Sequence, residues 1–282
     1  MKRKLAVLLG YGVVIGLAYP SGISHATTMT FYADGVIQAG DIYDIVEVYD
    51  TPPARTTVDM AGGQVDSMST FDTSVVNISG GYVGFLQTND SSTVNISGGW
   101  VGDPDALGEI TVGAYNHSVI NVYEGATVGM LSTAYSELYD SSAFNVYGGI
   151  IHLPVRAFYS ANVTIYAGML SSLKLEDEAI ANIYGGDVGS GWGLNVGSNT
   201  IMNIYGYGFE YNPHAFWAED SPVWGTRWVS KLTGYGFDGT PISITDIPNP
   251  STNPNINLIP EPATFVLMAL GAISSLKRKW PR

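Results

Sequence analysis

The middle of the chain alternates apolar and polar residues in short runs that end in glycine. The pattern reads apolar, Asn, apolar, Ser or Tyr, Gly, Gly, any residue, apolar, and one clear copy is Val76-Asn77-Ile78-Ser79-Gly80-Gly81. Alternation with period two is typical of a β-strand with one buried face. The paired glycines supply a bend in which a positive φ costs little. Each copy therefore predicts a short strand followed by a turn.

The copies recur at a nearly regular spacing. Marked by the polar residue at the second position, they fall at 59, 77, 95, 121, 145, 164, 182 and 203, with Asp at 59 and Thr at 164 in place of Asn. A period of about 20–30 residues is the signature of a solenoid. The pattern predicts an all-β fold, a single-stranded parallel β-helix of about eight coils with a β-rich C-terminal cap. A β-sandwich of similar strands is the alternative.

If the coils stack, side chains at equivalent positions of neighbouring coils are expected to be in contact. Val76 and Ile78 should point inward and lie on Val94 and Ile96 of the next coil. The two longest spacings, between 95 and 121 and between 121 and 145, predict surface loops around Asp103-Pro104-Asp105 and over residues 137–140.

The pattern stops at Tyr207, and the composition changes toward both ends. The predicted domains are a signal peptide (1–26), an N-terminal cap (27–57), β-helix repeats (58–206), a C-terminal β cap (207–247), an extended spacer rich in Pro and Asn (248–259) and a sorting signal (260–282). The C-terminal cap is expected because an open solenoid end would expose apolar core and unpaired strand edges.

The N-terminus has the features of a secretory signal peptide. Lys2-Arg3-Lys4 is a positive start, an apolar stretch runs from Leu5 to Ala18, and Ser24-His25-Ala26 places small residues before a cleavage point. The apolar stretch is shorter than the roughly 20 residues that a membrane-spanning helix needs. We therefore predict cleavage and export.

The C-terminus combines a prolyl break, a short apolar segment and a basic stop. Pro260, Glu261 and Pro262 open a run that ends at Leu276. The basic residues that follow are Lys277, Arg278 and Lys279. This order predicts a short transmembrane segment whose basic end stays in the cytoplasm.

Residues 260–282 resemble the PEP-CTERM sorting signal of Gram-negative bacteria, here following a β-helix/autotransporter-like repeat body. The resemblance implies an exosortase-type membrane enzyme that cleaves near the Pro-Glu-Pro sequence and releases or transfers the body. It also implies a host that makes exopolysaccharide. The tail Trp280-Pro281-Arg282 departs from the pattern, in which the basic cluster usually ends the chain. An ordinary C-terminal anchor is the alternative.

The net charge of the chain limits the kinds of molecule that it can bind. Between residues 27 and 260 there are five basic and 24 acidic residues, a net charge of −19. Such a surface repels phosphate backbones, so nucleic-acid binding is not expected. The absence of cysteine excludes disulfides, thiolate metal sites and a cysteine nucleophile.

Five consecutive copies place tyrosine at the same outward position. They are Tyr123, Tyr147, Tyr166, Tyr184 and Tyr205. Strands in neighbouring coils are about 4.8 Å apart, which is close to the length of one sugar unit in an extended chain. Flat aromatic faces beside amide side chains suit sugar rings, so we predict a glycan-binding face. The alternative is that the tyrosines stack on one another and stabilise the sheet.

The sequence offers no catalytic residues, and it predicts no metal and no cofactor. Its acidic residues are scattered, and its four histidines lack metal-ligand spacing. The predicted function is an exported structural or adhesive protein of the cell surface or extracellular matrix, in contact with exopolysaccharide and held in the inner membrane only as a precursor. The alternative is a secreted polysaccharide lyase or glycoside hydrolase of the β-helix type, which carboxylates clustered with Arg or Lys on one face would favour.

Overall fold

The computed structural model describes residues 27–103, 110–129, 135–218 and 227–260. The predicted signal peptide, residues 261–282 of the sorting signal and residues 104–105 of a predicted loop lie outside the described residues. Among the described residues, no helix is long and apolar enough to cross a membrane.

The described residues form 21 strands. In chain order they are β1 (Thr28–Phe31), β2 (Gly35–Ile37), β3 (Ile42–Val48), β4 (Thr57–Thr70), β5 (Val75–Thr88), β6 (Thr93–Ile96), β7 (Trp100–Val101), β8 (Ile110–Ala114), β9 (Val119–Val122), β10 (Thr127–Val128), β11 (Tyr135–Leu138), β12 (Ala143–Val146), β13 (Ile150–Ala157), β14 (Asn162–Ile165), β15 (Met169–Leu175), β16 (Ile180–Ile183), β17 (Gly186–Val196), β18 (Ile201–Ala218), β19 (Arg227–Tyr235), β20 (Pro241–Thr245) and β21 (Ile256–Pro260).

These strands stack in register into a parallel β-helix of about eight coils with three faces. Face A carries the Asn-containing strands and includes β6, β9, β12, β14 and β16, each paired in parallel with the next. Face B follows the glycine pair and includes β7, β10 and the start of β13. Face C includes β8, β11 and the end of β13. The parallel pairing confirms the predicted solenoid and excludes the β-sandwich, whose sheets are antiparallel.

The core is a set of columns of apolar side chains that run along the solenoid axis. Val76 lies in register with Val94, and Ile78 with Ile96, and all four are fully buried. The predicted inward contacts are therefore confirmed. Phe144 is the largest fully buried side chain. Each coil buries its apolar residues only against its neighbours, which is the packing expected of a repeat protein.

The corner between faces A and B is formed by the glycine pair. The second residue of the pair has a positive φ, for example +79° at Gly149 and +92° at Gly168, where the first residue is Ala167 instead of glycine. A Cβ on Gly168 would lie 2.7 Å from the carbonyl oxygen of Gly149 in the preceding coil. Glycine is required here both for its conformation and for the close approach of two backbones.

The corner between face C and the next face A has its own pattern, which the sequence reading missed. Its second residue is in the left-handed region, with φ from 54° to 61°; we call these residues the turn column. They are Asp72, Asp90, Asn116, Asp140, Tyr159 and Asp177. Asp and Asn tolerate this conformation better than other residues with a side chain. The recurrence of Asp or Asn two residues before a serine was the available signal.

The two ends differ from the predicted domain boundaries. In residues 27–57, predicted as an N-terminal cap, β1 pairs in parallel with β3, and β2 and β3 pair in parallel with β4 of the first repeat. Ile37 is fully buried and lies in register with Met60, so it extends that column of core side chains toward the N-terminus. The repeat thus extends one coil further toward the N-terminus than its recognisable sequence.

At the C-terminal end a hairpin is inserted into the last coil. The second half of β18 pairs antiparallel with β19, and β19 pairs antiparallel with β20. β20 then returns to the solenoid and pairs in parallel with β17. β21 pairs in parallel with β18, so residues 256–259 belong to the last rung and are not an extended spacer.

The predicted loop at 137–140 is also corrected. Residues 135–138 form β11 on face C, and the turn begins only after Leu138. Glu137 is 6% exposed because its strand continues the sheet.

Candidate functional site

Face A carries a ladder of side-chain amides along its outer surface. Each amide Nδ2 donates to the Oδ1 of the residue at the same position in the preceding rung. The distances are 2.8 Å from Asn77 to Asp59, 2.8 Å from Asn95 to Asn77, 2.8 Å from Asn121 to Asn95, 2.9 Å from Asn145 to Asn121, 3.0 Å from Asn203 to Asn182 and 3.0 Å from Asn257 to Asn203. We call this the asparagine ladder.

The asparagine ladder is interrupted at the one predicted copy that has Thr. Thr164 lies in register with Asn145 and Asn182. Its hydroxyl donates to Oδ1 of Asn162 at 3.1 Å, and Asn182 donates to the same oxygen at 3.4 Å. Asn162 thus replaces Thr164 as the acceptor.

Beside the asparagine ladder, the five predicted tyrosines stack face to face; we call them the tyrosine ladder. The ring centroids are 5.0 Å apart for Tyr123 and Tyr147, 4.9 Å for Tyr147 and Tyr166, 5.1 Å for Tyr166 and Tyr184, and 4.4 Å for Tyr184 and Tyr205. Neighbouring ring planes are within 10° of parallel. The structure therefore contains the alternative arrangement, in which the tyrosines stack on one another.

This stacking decides which parts of the rings can meet a ligand. Each inner ring has another ring on both faces at van der Waals distance, so no sugar can lie flat against it. The ring edges and hydroxyls remain outside, and Tyr123, Tyr147 and Tyr166 are 37%, 41% and 40% exposed. A contact with glycan along the tyrosine ladder must use edges and hydroxyls.

Two phenols of the tyrosine ladder, Tyr147 and Tyr184, favour their neutral form. Burial raises the pKa of Tyr147 and of Tyr184, and the neighbouring phenols raise it further. A raised phenol pKa keeps the O–H group protonated at neutral pH and above. Tyr147 and Tyr184 therefore offer hydrogen-bond donors rather than anions.

Face C carries an ionic column that the sequence reading did not identify. Glu137, Arg156 and Lys174 occupy equivalent positions in three successive rungs. Arg156 Nη1 lies 3.7 Å from Glu137 Oε1, and Lys174 forms an ion pair with Glu176. Tyr139 donates its hydroxyl to Glu137 Oε2.

The charged side chains of this column are engaged with one another and with neighbouring aromatic rings. Both oxygens of Glu137 already have partners, and burial together with the Glu137 hydrogen bond raises the pKa of Tyr139. The Arg156 guanidinium lies over the Tyr135 ring at 4.0 Å from its centroid. Glu137 is thus buried between Tyr139 and Arg156, whose side chain remains partly exposed.

The remaining predicted site residues lie at the C-terminal end. Pro260 is the last residue of β21, whereas Glu261, Pro262, Lys277, Arg278 and Lys279 lie outside the described residues. Within the part of the chain that the structure describes, no group of three or more His, Asp or Glu side chains could hold a metal ion.

Comparisons with protein-family models, with curated proteins and with solved structures find no match to this chain.

Proposed function

We propose that this chain is an exported structural or adhesive protein of the cell surface or extracellular matrix, which contacts a linear polysaccharide along the tyrosine ladder. The observation that carries the proposal is the five-ring stack, whose 4.4–5.1 Å spacing gives one phenol per rung along the solenoid axis. A polymer with a similar repeat can make the same contact many times. Many weak contacts on one chain add to a strong overall attachment.

The surface beside the tyrosine ladder complements its hydroxyls. Across the glycine corner, Ile150 and Met169 lie in register at the start of their face B segments, and each is 39% exposed. The polar edges of the phenol rings therefore lie next to the apolar side chains of Ile150 and Met169. A sugar chain has the same two characters, since its hydroxyls alternate with C–H surfaces.

Removing the hydroxyls tests this contact without disturbing the stack. We expect the Tyr123→Phe/Tyr147→Phe/Tyr166→Phe variant to bind its polysaccharide about a hundredfold more weakly, because three hydrogen bonds of roughly 1 kcal/mol each are lost. The measurement is binding of the full-length chain to a polysaccharide panel.

The matched control is Tyr207→Phe, which changes an exposed tyrosine of the C-terminal hairpin that pairs with Tyr235. It should bind as the unmodified chain does. Equal binding by the triple variant and the unmodified chain would rule out the tyrosine ladder as the contact surface.

We further propose that an exosortase-type enzyme removes residues after the solenoid. Pro260 ends the last described rung and pairs with Gly206, so the sorting segment would start at the edge of the folded body. Export would thus leave the solenoid intact, because the strands up to β21 all precede the cleavage point.

The mass of the mature protein tests this processing. In a producing cell with an exosortase, we expect a product that starts near Thr27 and ends close to residue 260. The control is a Pro260→Ala/Glu261→Ala/Pro262→Ala variant, which should keep its C-terminal segment. A mature protein that retains residue 282 would contradict the proposal.

A further inference from the structure

Tyr159 is the exception in the turn column. Four of the other five residues are Asp and one is Asn, whereas Tyr159 holds φ at 54° with a bulky side chain. Its side chain is 55% exposed, so burial of the ring does not compensate for this conformation.

The structure loses stability at this position in two ways. A left-handed φ is unfavourable for a residue with a large side chain. The carboxylates of the turn column also bind the preceding rung, as when Asn116 N–H donates to Asp140 Oδ2 at 3.2 Å and Tyr159 N–H to Asp177 Oδ2 at 3.2 Å. Tyrosine has no carboxylate with which to accept the N–H of Asp140 in this way.

The ring of Tyr159 is placed differently from the rings of the tyrosine ladder. It is tilted by 41° to Tyr139 at a centroid distance of 6.3 Å, and is not in face-to-face contact with it. A half-exposed ring in this orientation offers an aromatic surface, which the inner rings of the tyrosine ladder cannot do. Strained residues that break a local rule cluster at functional sites, which makes Tyr159 a candidate for one.

Hydrogen-bond acceptors flank this ring. The constant register between β11 and β13, and between β13 and β15, places Asp140 and Asp177 at the same turn position in the rungs on either side. Both are exposed, as is Glu178 beside Asp177. Asp140 and Asp177 each accept a backbone N–H through Oδ2. A carboxylate has two oxygens and can accept further hydrogen bonds.

The charge of the side chains around Tyr159 indicates which class of sugar could bind there. Arg156 and Lys174, the cations of face C in the rungs of Tyr159 and Asp177, are paired with Glu137 and Glu176. The unpaired charge around the ring is therefore negative, in a body that is strongly acidic overall. Like charges repel a uronate carboxylate, whereas carboxylates accept hydrogen bonds from sugar hydroxyls.

We propose that Tyr159, with Asp140 and Asp177 beside it, binds one sugar unit without a carboxylate by stacking against the ring. The inference rests on the proposed function in that the ligand is a polysaccharide. The proposed site lies at a different corner of the solenoid from the tyrosine ladder. It needs only a single sugar ring for binding.

The test separates loss of binding from loss of folding. Tyr159→Asn removes the ring and supplies a residue that suits a left-handed φ, so its melting temperature should rise by a few degrees. Its affinity for a soluble neutral glucose oligosaccharide should fall roughly tenfold or more, as when an aromatic anchor is removed. Tyr159→Phe keeps the ring and should bind normally. A galacturonate oligosaccharide of equal length should bind the unmodified full-length chain at least roughly tenfold more weakly than the neutral one.

Normal binding of the neutral oligosaccharide by the more stable Tyr159→Asn variant would overturn the inference, as would no binding by the unmodified chain. The proposed function is tested in a separate experiment, which measures binding of long polysaccharide by the unmodified chain and by the Tyr→Phe triple variant of the tyrosine ladder. A chain that binds polymer through the tyrosine ladder but no short oligosaccharide would retain that function and lose this site.

Discussion

Replacing Phe144 with alanine is expected to lower the free energy of unfolding by about 3–5 kcal/mol, because it removes a fully buried aromatic ring and leaves a cavity. Phe144 is the largest residue of the core and lies in register between Ile120 and Val163. Neighbouring rungs are held in register by backbone hydrogen bonds, so they cannot close the space. Urea unfolding of the variant and of the unmodified chain measures the difference.

Phe158→Ala is the matched control for this prediction. Phe158 is half-buried on the outside of the same coil and stacks on Tyr139 at 5.1 Å. Its loss should cost about 1 kcal/mol, the size of an aromatic pair. A Phe144→Ala variant no less stable than Phe158→Ala would mean that the inner column does not carry the fold.

Replacing Gly168 with alanine is expected to destabilise the protein by about 2–5 kcal/mol, since it combines a strained φ with a steric clash. The added Cβ would lie 2.7 Å from the carbonyl oxygen of Gly149 and 2.8 Å from the carbonyl carbon of Gly148. Both contacts are to backbone, which cannot rotate away as a side chain can. The two coils would have to separate at this corner.

Gly40→Ala isolates the conformational part of this effect. Gly40 has a φ of +98°, close to the +92° of Gly168, but a Cβ there would meet no atom within 4 Å. Alanine at Gly40 should cost only about 1–2 kcal/mol. Thermal and urea unfolding of both variants give the comparison. Equal losses at the two positions would show that the close approach of the coils adds nothing.

The repeat could be read from the sequence because one physical requirement acts on every copy. A residue such as Val94 must be apolar to bury against Val76, and the glycine after each strand must permit the corner. These requirements recur with every coil, so chance variation at one copy does not hide them. The outward position of Asn95 and of the five tyrosines followed from the same alternation.

The ends of the solenoid could not be read in this way. Ile37 and Ile256 fill the inward position of a rung. The rung of Ile37 has Val36 at the Asn position, and the rung of Ile256 keeps Asn257 but is not followed by a glycine pair. A rung at the end needs only one partner strand and an apolar side chain, so its sequence is under weaker constraint. The hairpin formed by β18 and β19 further separates β20 from the coil that it completes.

What the sequence by itself determined is the periodic part of this protein: the parallel coils, the inward apolar columns, the glycine corner and the side on which the asparagines and tyrosines lie. Only the tertiary structure decided that the tyrosines cover one another's faces, that Glu137 lies in a strand paired with Arg156, and that Tyr159 holds a strained position at a corner of aspartates. The physical reason is that alternation along one strand sets the direction of a side chain. Its neighbours are set by the register between coils whose lengths differ.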